Sequence, residues 1–124
     1  MPYSFAVTRK SNYLHITVRG ENTRQNVSRY LQEIVQACIQ YGCSRVLVEE
    51  DLAGPSLAIS DVFFIASEGS RNASPTVNCI AYVDVNPEHD PFTLEFAENV
   101  AVNRGVNMKR FATVGDAEDW ISRE

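Results

Sequence analysis

Residues 44–69 constrain the fold of this chain more than any other part of its sequence. Residues 46–48 form a short apolar run before the acidic residues 49–51, which is typical of a strand that is buried on both faces and ends at a polar rim. Gly54 and Pro55 then break the chain, Ser60 is the predicted N-cap of a helix, and Gly69 is its predicted end. A strand, an acidic loop and a helix in this order predict an α/β protein.

The size and composition of the chain predict one folded domain over residues 1–124. The chain has 124 residues, of which 44% are hydrophobic and 22% are charged, and this is enough to bury a single core. Its formal net charge is −5, and it has no run of lysine or arginine. A surface that neutralises phosphates is therefore not predicted, and we expect no nucleic-acid partner.

The sequence also bears on the compartment. The first ten residues lack the basic start and apolar core of a signal peptide, and no apolar segment has transmembrane length. The three cysteines, Cys38, Cys43 and Cys79, are odd in number and lie in apolar surroundings, which favours reduced thiols. We therefore expect a cytoplasmic protein without membrane insertion.

Hydrophobic periodicity predicts nine elements in the order β β α β α β α β α. Residues 3–8 and 13–19 predict a hairpin, and a helical pattern with Asn22 or Thr23 as its N-cap then runs to Gly42. Further strands are predicted at residues 77–83 and 107–112, each followed by a capped helix. Because parallel crossovers are right-handed, we expect a five-stranded, mostly parallel mixed sheet with helices on both faces and an antiparallel first strand at its edge.

The C-terminal residues carry a family resemblance. Residues 109–113, KRFAT, lead into residues 117–121, AEDWI, so that a strand with a phenylalanine precedes a helix ending in tryptophan and an aliphatic residue. Together with the element order, this pattern resembles the STAS-like fold and, more narrowly, the SpoIIAA-like proteins, which are named after an anti-anti-sigma factor. The resemblance implies a regulatory protein-interaction module that needs neither a cofactor nor catalysis.

The same resemblance directs attention to two serines. In anti-sigma-factor antagonists, a serine at the start of the helix after the central strand is phosphorylated within an Asp-Ser-Ser/Thr-Gly type motif. The matching residues 51–61 lack that motif but contain Ser56 and Ser60. A phosphate on Ser60 would be favoured by the helix dipole, whereas the ordinary roles of the two serines are a loop residue and an N-cap. Both remain candidate phosphosites.

A ligand site in an open α/β sheet is expected beyond the carboxyl ends of the parallel strands. Glu50, Asp84 and His89 are predicted to form an acidic rim there, where they could hold a divalent cation or share acid–base work. The alternative is that they are solvated loop residues and helix caps, and their spacing matches no metal motif, so no metal ligand is assigned. The sequence contains no nucleophile elbow, P-loop or G-x-G-x-x-G, and no catalytic residue is predicted.

Two functional hypotheses follow, and an enzyme at the acidic rim ranks behind both. The first is a small cytoplasmic, non-enzymatic interaction module whose loop and helix at residues 51–65 contact a partner protein or a second copy in a homodimer. The second is a carrier or sensor of a small apolar, lipid-like ligand, which predicts an apolar cavity of about 300 Å³ or more. The face predicted to contact the partner or ligand comprises Asp51, Ser56, Leu57, Ile59, Ser60, Phe63 and Phe64.

Overall fold

A computed structural model describes residues 3–73 and 76–123 of the chain. Its elements are β1 (Ser4–Arg9), β2 (Leu14–Glu21), α1 (Arg24–Tyr41), β3 (Arg45–Ala53), α2 (Ile59–Ala73), β4 (Cys79–Asp84), α3 (Pro91–Asn103), β5 (Met108–Arg110) and α4 (Val114–Arg123). This is the predicted element order. Within the described residues, no helix has both the length and the apolarity needed to cross a membrane.

The five strands form one sheet in the order β1-β2-β3-β4-β5. β1 pairs antiparallel with β2, and the other neighbouring strands are parallel. Because sheet order follows chain order and parallel crossovers are right-handed, α1, α2 and α3 all lie on one face of the sheet. The last helix, α4, covers the other face. The predicted mixed α/β sheet with an antiparallel edge strand is confirmed.

Each face of the sheet has its own apolar core. On the first face, Ile34 of α1 and Ile65 of α2 belong to the same buried cluster as Val48 of β3. On the opposite face, α4 places Ile121 in a second cluster with Leu47, and both side chains are fully buried. Since β3 is central and contributes to both clusters, its alternate side chains fix the position of the helices on each side.

The central strand β3 extends past the acidic residues 49–51, so the predicted end of the strand before residue 49 is wrong. Because side chains alternate along a strand, Glu50 points to the same face as Val48 and Leu52, which belong to the α1–α2 core. Asp51 points to the opposite face and is exposed. Glu50 is only 4% exposed, and it is therefore a buried charge-bearing residue rather than a solvated loop acid.

Helix α2 begins one residue before Ser60 and continues to Ala73, so neither the predicted N-cap nor the predicted end at Gly69 is correct. The first turn is closed by the carbonyl of Ala58, which accepts from the Val62 amide at 3.0 Å. A Cβ at Gly69 would lie 3.2 Å from Cδ1 of Leu31. Glycine at this position therefore allows α2 to approach α1 closely, which explains why it is found inside a helix.

Candidate functional site

A cavity of about 160 Å³ lies beneath α2, between the three helices and the sheet. Each of the three helices lines it with apolar side chains, and the sheet contributes Val48, Ile80 and Met108. Polar groups gather where β3 and β4 end, and they include Glu50 and Asp84. The cavity is therefore apolar along most of its length and polar at one end, which we call the acidic end and define by Glu50, Asp84 and His89.

Glu50 is held at the acidic end by two tyrosines. Tyr30 of α1 donates a hydrogen bond to Oε2 of Glu50, and Tyr82 of β4 donates to Oε1 at 2.8 Å. Burial raises the pKa of Glu50, the hydrogen bond from Tyr30 opposes that rise, and the charge of Asp84 adds to it, so that the pKa is about 7. Glu50 therefore changes its charge close to neutral pH.

The two tyrosines are site residues that the sequence analysis did not predict. Burial and the facing Glu50 carboxylate raise their pKa values well above the usual tyrosine range, so both remain protonated donors. Tyr30 lies within the pattern that predicts the helix ending at Gly42, and Tyr82 lies within the strand predicted at residues 77–83. A buried tyrosine hydroxyl needs a hydrogen-bond partner, and this requirement is the signal that could have indicated a buried acceptor between them.

Asp84 and His89 form the second half of the acidic end. Nδ1 of His89 lies 2.6 Å from Oδ2 of Asp84, and Nε2 lies 2.9 Å from the carbonyl oxygen of Gly54. Burial lowers the pKa of His89, but the hydrogen bond and charge of Asp84, with the Gly54 carbonyl, outweigh it and raise the pKa overall. In its imidazolium form His89 donates to both acceptors at once, and in that form it makes a buried ion pair with Asp84.

The fold thus brings together the three residues predicted for the acidic rim. Glu50, Asp84 and His89 each offer one ligand atom, and these atoms all lie within 4.8 Å of one another. However, both ring nitrogens of His89 face protein acceptors, so neither offers a lone pair to a shared metal ion. A metal ion would have to displace these two hydrogen bonds, so the residues as they stand form a hydrogen-bonded cluster rather than a prepared metal site.

The segment between β3 and α2, residues 54–58, covers the acidic end. Three hydrogen bonds hold it: one from His89 to Gly54, one of 2.9 Å from the Asn22 side chain to the Pro55 carbonyl, and one of 2.8 Å from the Asp90 amide to the Ser56 hydroxyl. Ser56 is therefore engaged within the loop, whereas Ser60 is exposed on the first turn of α2. Phosphorylation at either position stays a prediction.

The residues predicted to contact a partner or ligand do not all lie on one surface. Its exposed members on α2 are Ile59, Ser60, Phe63 and Phe64. Leu57 is half-buried against the core beneath α2. Asp51 lies on the opposite face of the sheet, 4.0 Å from Nε of Arg19, and cannot belong to the same surface.

The exposed aromatic residues of α2 are bordered by cations. The guanidinium of Arg24 lies 4.2 Å from the ring centre of Phe64, and that of Arg104 lies 5.4 Å from the ring centre of Phe63. Phe63 also approaches Phe96 of α3. One turn before Phe96, Phe92 is 64% exposed, and the sequence analysis did not include it in this surface.

The architecture is that of a SpoIIAA-like α/β protein, as the C-terminal pattern predicted. The chain is similar to an uncharacterized protein from the DUF3478 family with a SpoIIAA-like fold, from Shewanella loihica PV-4, whose crystal structure it matches with a TM-score of 0.52. The match covers 96% of this chain and 93% of that one at 19% sequence identity. No protein-family model and no curated protein matches the chain. At this identity, the comparison establishes the fold alone.

Proposed function

We propose that this chain binds a small, largely apolar molecule in the cavity beneath α2 and acts as its carrier or sensor. The observation that carries the proposal is the cavity itself, about 160 Å³ in volume, with aliphatic walls and a buried polar end. It is smaller than the 300 Å³ or more predicted for a lipid-like ligand, so that prediction of size is wrong. Apolar cavities of about 150 Å³ accommodate benzene, so this one has the size for a single ring or a short chain.

The shape and lining of the cavity support this proposal. Small-molecule sites are usually concave, mostly apolar and equipped with a few polar groups, and this cavity has all three features. A ligand in this space would gain dispersion contacts with the aliphatic walls, which favours binding.

We further propose that the protein acts in the cytoplasm and catalyses no reaction. Cys38 and Cys43 are free thiols, which suits a reducing compartment. The titratable groups of the acidic end are hydrogen-bonded to one another, and binding requires no nucleophile among them. The proposal therefore assigns the acidic end to recognition of a ligand rather than to a reaction.

Toluene is the simplest probe of the cavity, and we expect it to raise the melting temperature because it binds the folded state.

Ala66→Leu and Ala97→Leu, on α2 and α3, each extend a side chain into the cavity. Each is expected to weaken toluene binding by about tenfold, because less space remains. Affinity would be measured by calorimetric titration. Exposed Ala112→Leu is the control and should bind like the natural protein; unaltered binding in both cavity variants would contradict the proposal.

A second candidate function is protein interaction through the outer side of α2, because it exposes several large apolar side chains. Ile59, Phe63 and Phe64 are 43%, 47% and 41% exposed, and contiguous exposed apolar surface is typical of interfaces. The partner proposed here is another protein or a second copy of this chain.

The double variant Phe63→Ser, Phe64→Ser is expected to lose the partner that co-purifies with the tagged protein from its own cells, because the apolar contact area is removed. Mass spectrometry of the purified material would identify the partner, and sedimentation would report a homodimer. Ile39→Ser changes an apolar residue of α1 that is 61% exposed and serves as the matched control. Recovery of every partner by the double variant would rule out this surface.

A further inference from the structure

The hydrogen-bond donors at the acidic end are largely committed to protein acceptors. The hydroxyls of Tyr30 and Tyr82 donate to Glu50. Both ring nitrogens of His89 face acceptors, on Asp84 and Gly54. A ligand group that needs strong donors, such as a carboxylate or a phosphate, therefore meets few at this end of the cavity.

Acceptors, in contrast, are left over. An ionised carboxylate offers about four acceptor positions on its two oxygens, and the two tyrosines use two of those on Glu50. The tyrosine hydroxyl oxygens can also accept after donating their protons. Glu50 thus keeps unused acceptor capacity beside the cavity, and the hydroxyls of Ser56 and Thr93, which also line it, can donate or accept.

The charges at this end agree with the hydrogen-bond inventory. No lysine or arginine is found among the described residues that line the cavity. Asp84 and His89 neutralise one another as a buried ion pair, which leaves the carboxylate of Glu50 as the uncompensated charge. A buried charge is stable when it is paired and hydrogen-bonded, so an ionised Glu50 favours a cationic or donor group beside it.

We infer that the ligand is a small amphiphile with a hydrogen-bond-donating head, an ammonium group in preference to a hydroxyl, which contacts Glu50 while its apolar body fills the cavity beneath α2. This inference rests on the proposed ligand-binding function and specifies its ligand class. Fatty acids and other carboxylates of the same size are excluded as ligands of ionised Glu50, because two carboxylates in contact repel each other.

Binding of an ammonium head depends on pH because it requires Glu50 to be ionised. The groups that face Glu50 are Tyr30 from α1, Tyr82 and Asp84 from β4, and His89 from the loop after β4. Both tyrosines stay protonated in the neutral range because burial raises their pKa values. The pKa of Glu50 is about 7, so affinity for the ammonium compound is expected to rise as the pH increases through neutrality.

Four probes of similar size distinguish binding in the cavity, which is the proposed function, from selection of an ammonium head, which is the further inference. Toluene tests the cavity alone, while benzylamine, benzyl alcohol and benzoate add an ammonium, a hydroxyl and a carboxylate head. At about pH 8, we expect benzylamine to bind at least about tenfold more tightly than toluene, benzyl alcohol to lie between them, and benzoate to bind more weakly than toluene. At about pH 6, the advantage of benzylamine should shrink severalfold.

Glu50→Gln and Glu49→Gln form a matched pair of variants for this test. Glu50→Gln is expected to abolish the preference for benzylamine and its dependence on pH. Glu49→Gln changes the neighbouring residue, which bonds His15 at 2.9 Å on the opposite face of the sheet, and should keep both. Tighter binding of benzoate than of benzylamine, or an unchanged preference in Glu50→Gln, would overturn the inference while toluene binding upholds the cavity. Failure of all four probes to bind would refute the proposed function and the inference with it.

Discussion

Asp84→Ala is expected to lower the free energy of unfolding by about 1.5–3 kcal/mol near pH 6, because it removes a buried, charge-assisted hydrogen bond to His89. The side chains of His89 and Asp84 are 3% and 1% exposed, so their contact at 2.6 Å is shielded from solvent. The substitution also removes the acceptor of the backbone N–H of Asn86, which donates to Oδ1 of Asp84 at 2.9 Å. Urea denaturation monitored by circular dichroism would measure the loss.

Asp51→Ala is the matched control for this prediction. Asp51 pairs with Arg19 at 4.0 Å, but the two side chains are 51% and 67% exposed. An exposed pair contributes about 0–1 kcal/mol, and the control should therefore be almost as stable as the natural protein. Equal losses in the two variants would mean that the buried pair of His89 and Asp84 contributes no more stability than an exposed ion pair.

The order of the elements could be predicted from sequence, whereas the end of the central strand could not. The order of strands and helices was predicted correctly because each element has a regular apolar period and the crossover rule leaves few arrangements. The predicted end of β3 is wrong, because three consecutive acidic residues are typical of a solvated loop and the prediction rested on their composition alone. Val48, Glu50 and Leu52 occupy alternate positions of a strand, and this alternation is the signal that Glu50 faces the core.

The ends of α2 were misjudged for a related reason. Ser60 and Gly69 have the residue types of helix caps, but capping preferences are local, whereas the position of a helix is decided by what it packs against. The 3.2 Å approach of a Cβ at Gly69 to Leu31 is a tertiary contact between two helices. A contact between two helices cannot be predicted from the residue pattern of one of them, and the predicted helix end at Gly69 is therefore wrong.

The cavity could be anticipated only as a hypothesis. Its volume depends on the gap that remains when α1, α2 and α3 settle on the sheet, and this gap is a small difference between large packed volumes. The association of Glu50 with Asp84 and His89 was predictable, since their strands are parallel neighbours and the carboxyl ends of such strands meet at one edge. The contribution of Tyr30 was not predicted, because the apolar pattern of α1 shows that Tyr30 faces the sheet but not which strand residue its hydroxyl contacts.

Glu50→Gln is expected to change how the stability of the protein depends on pH. The pKa of Glu50 rises from 4.5 to about 7 on folding, so between these values the folded state binds a proton that the unfolded state has released. The stability that protonated Glu50 contributes is thus fully present below about pH 4.5 and is lost as the pH rises through about 7, and it amounts to about 3 kcal/mol. Glutamine stays neutral and lacks this loss. His89, whose pKa is also raised, gives the same direction of change in both proteins, and the charge of Glu50 is the smallest of the causes that raise it, so the contribution of His89 changes little in the comparison.

The measurement is a series of urea denaturation curves for the natural protein and Glu50→Gln between about pH 4.5 and about pH 8. The two unfolding free energies should converge at the acidic end and differ by about 3 kcal/mol at the basic end, with the variant the more stable. Glu49→Gln, on the opposite face of the sheet, should follow the natural protein throughout. Parallel curves for the natural protein and Glu50→Gln would show that Glu50 titrates in the folded state as it does in the unfolded one. The carboxyl would then be solvated, and the acidic end would lack the buried charge on which selection of an ammonium ligand depends.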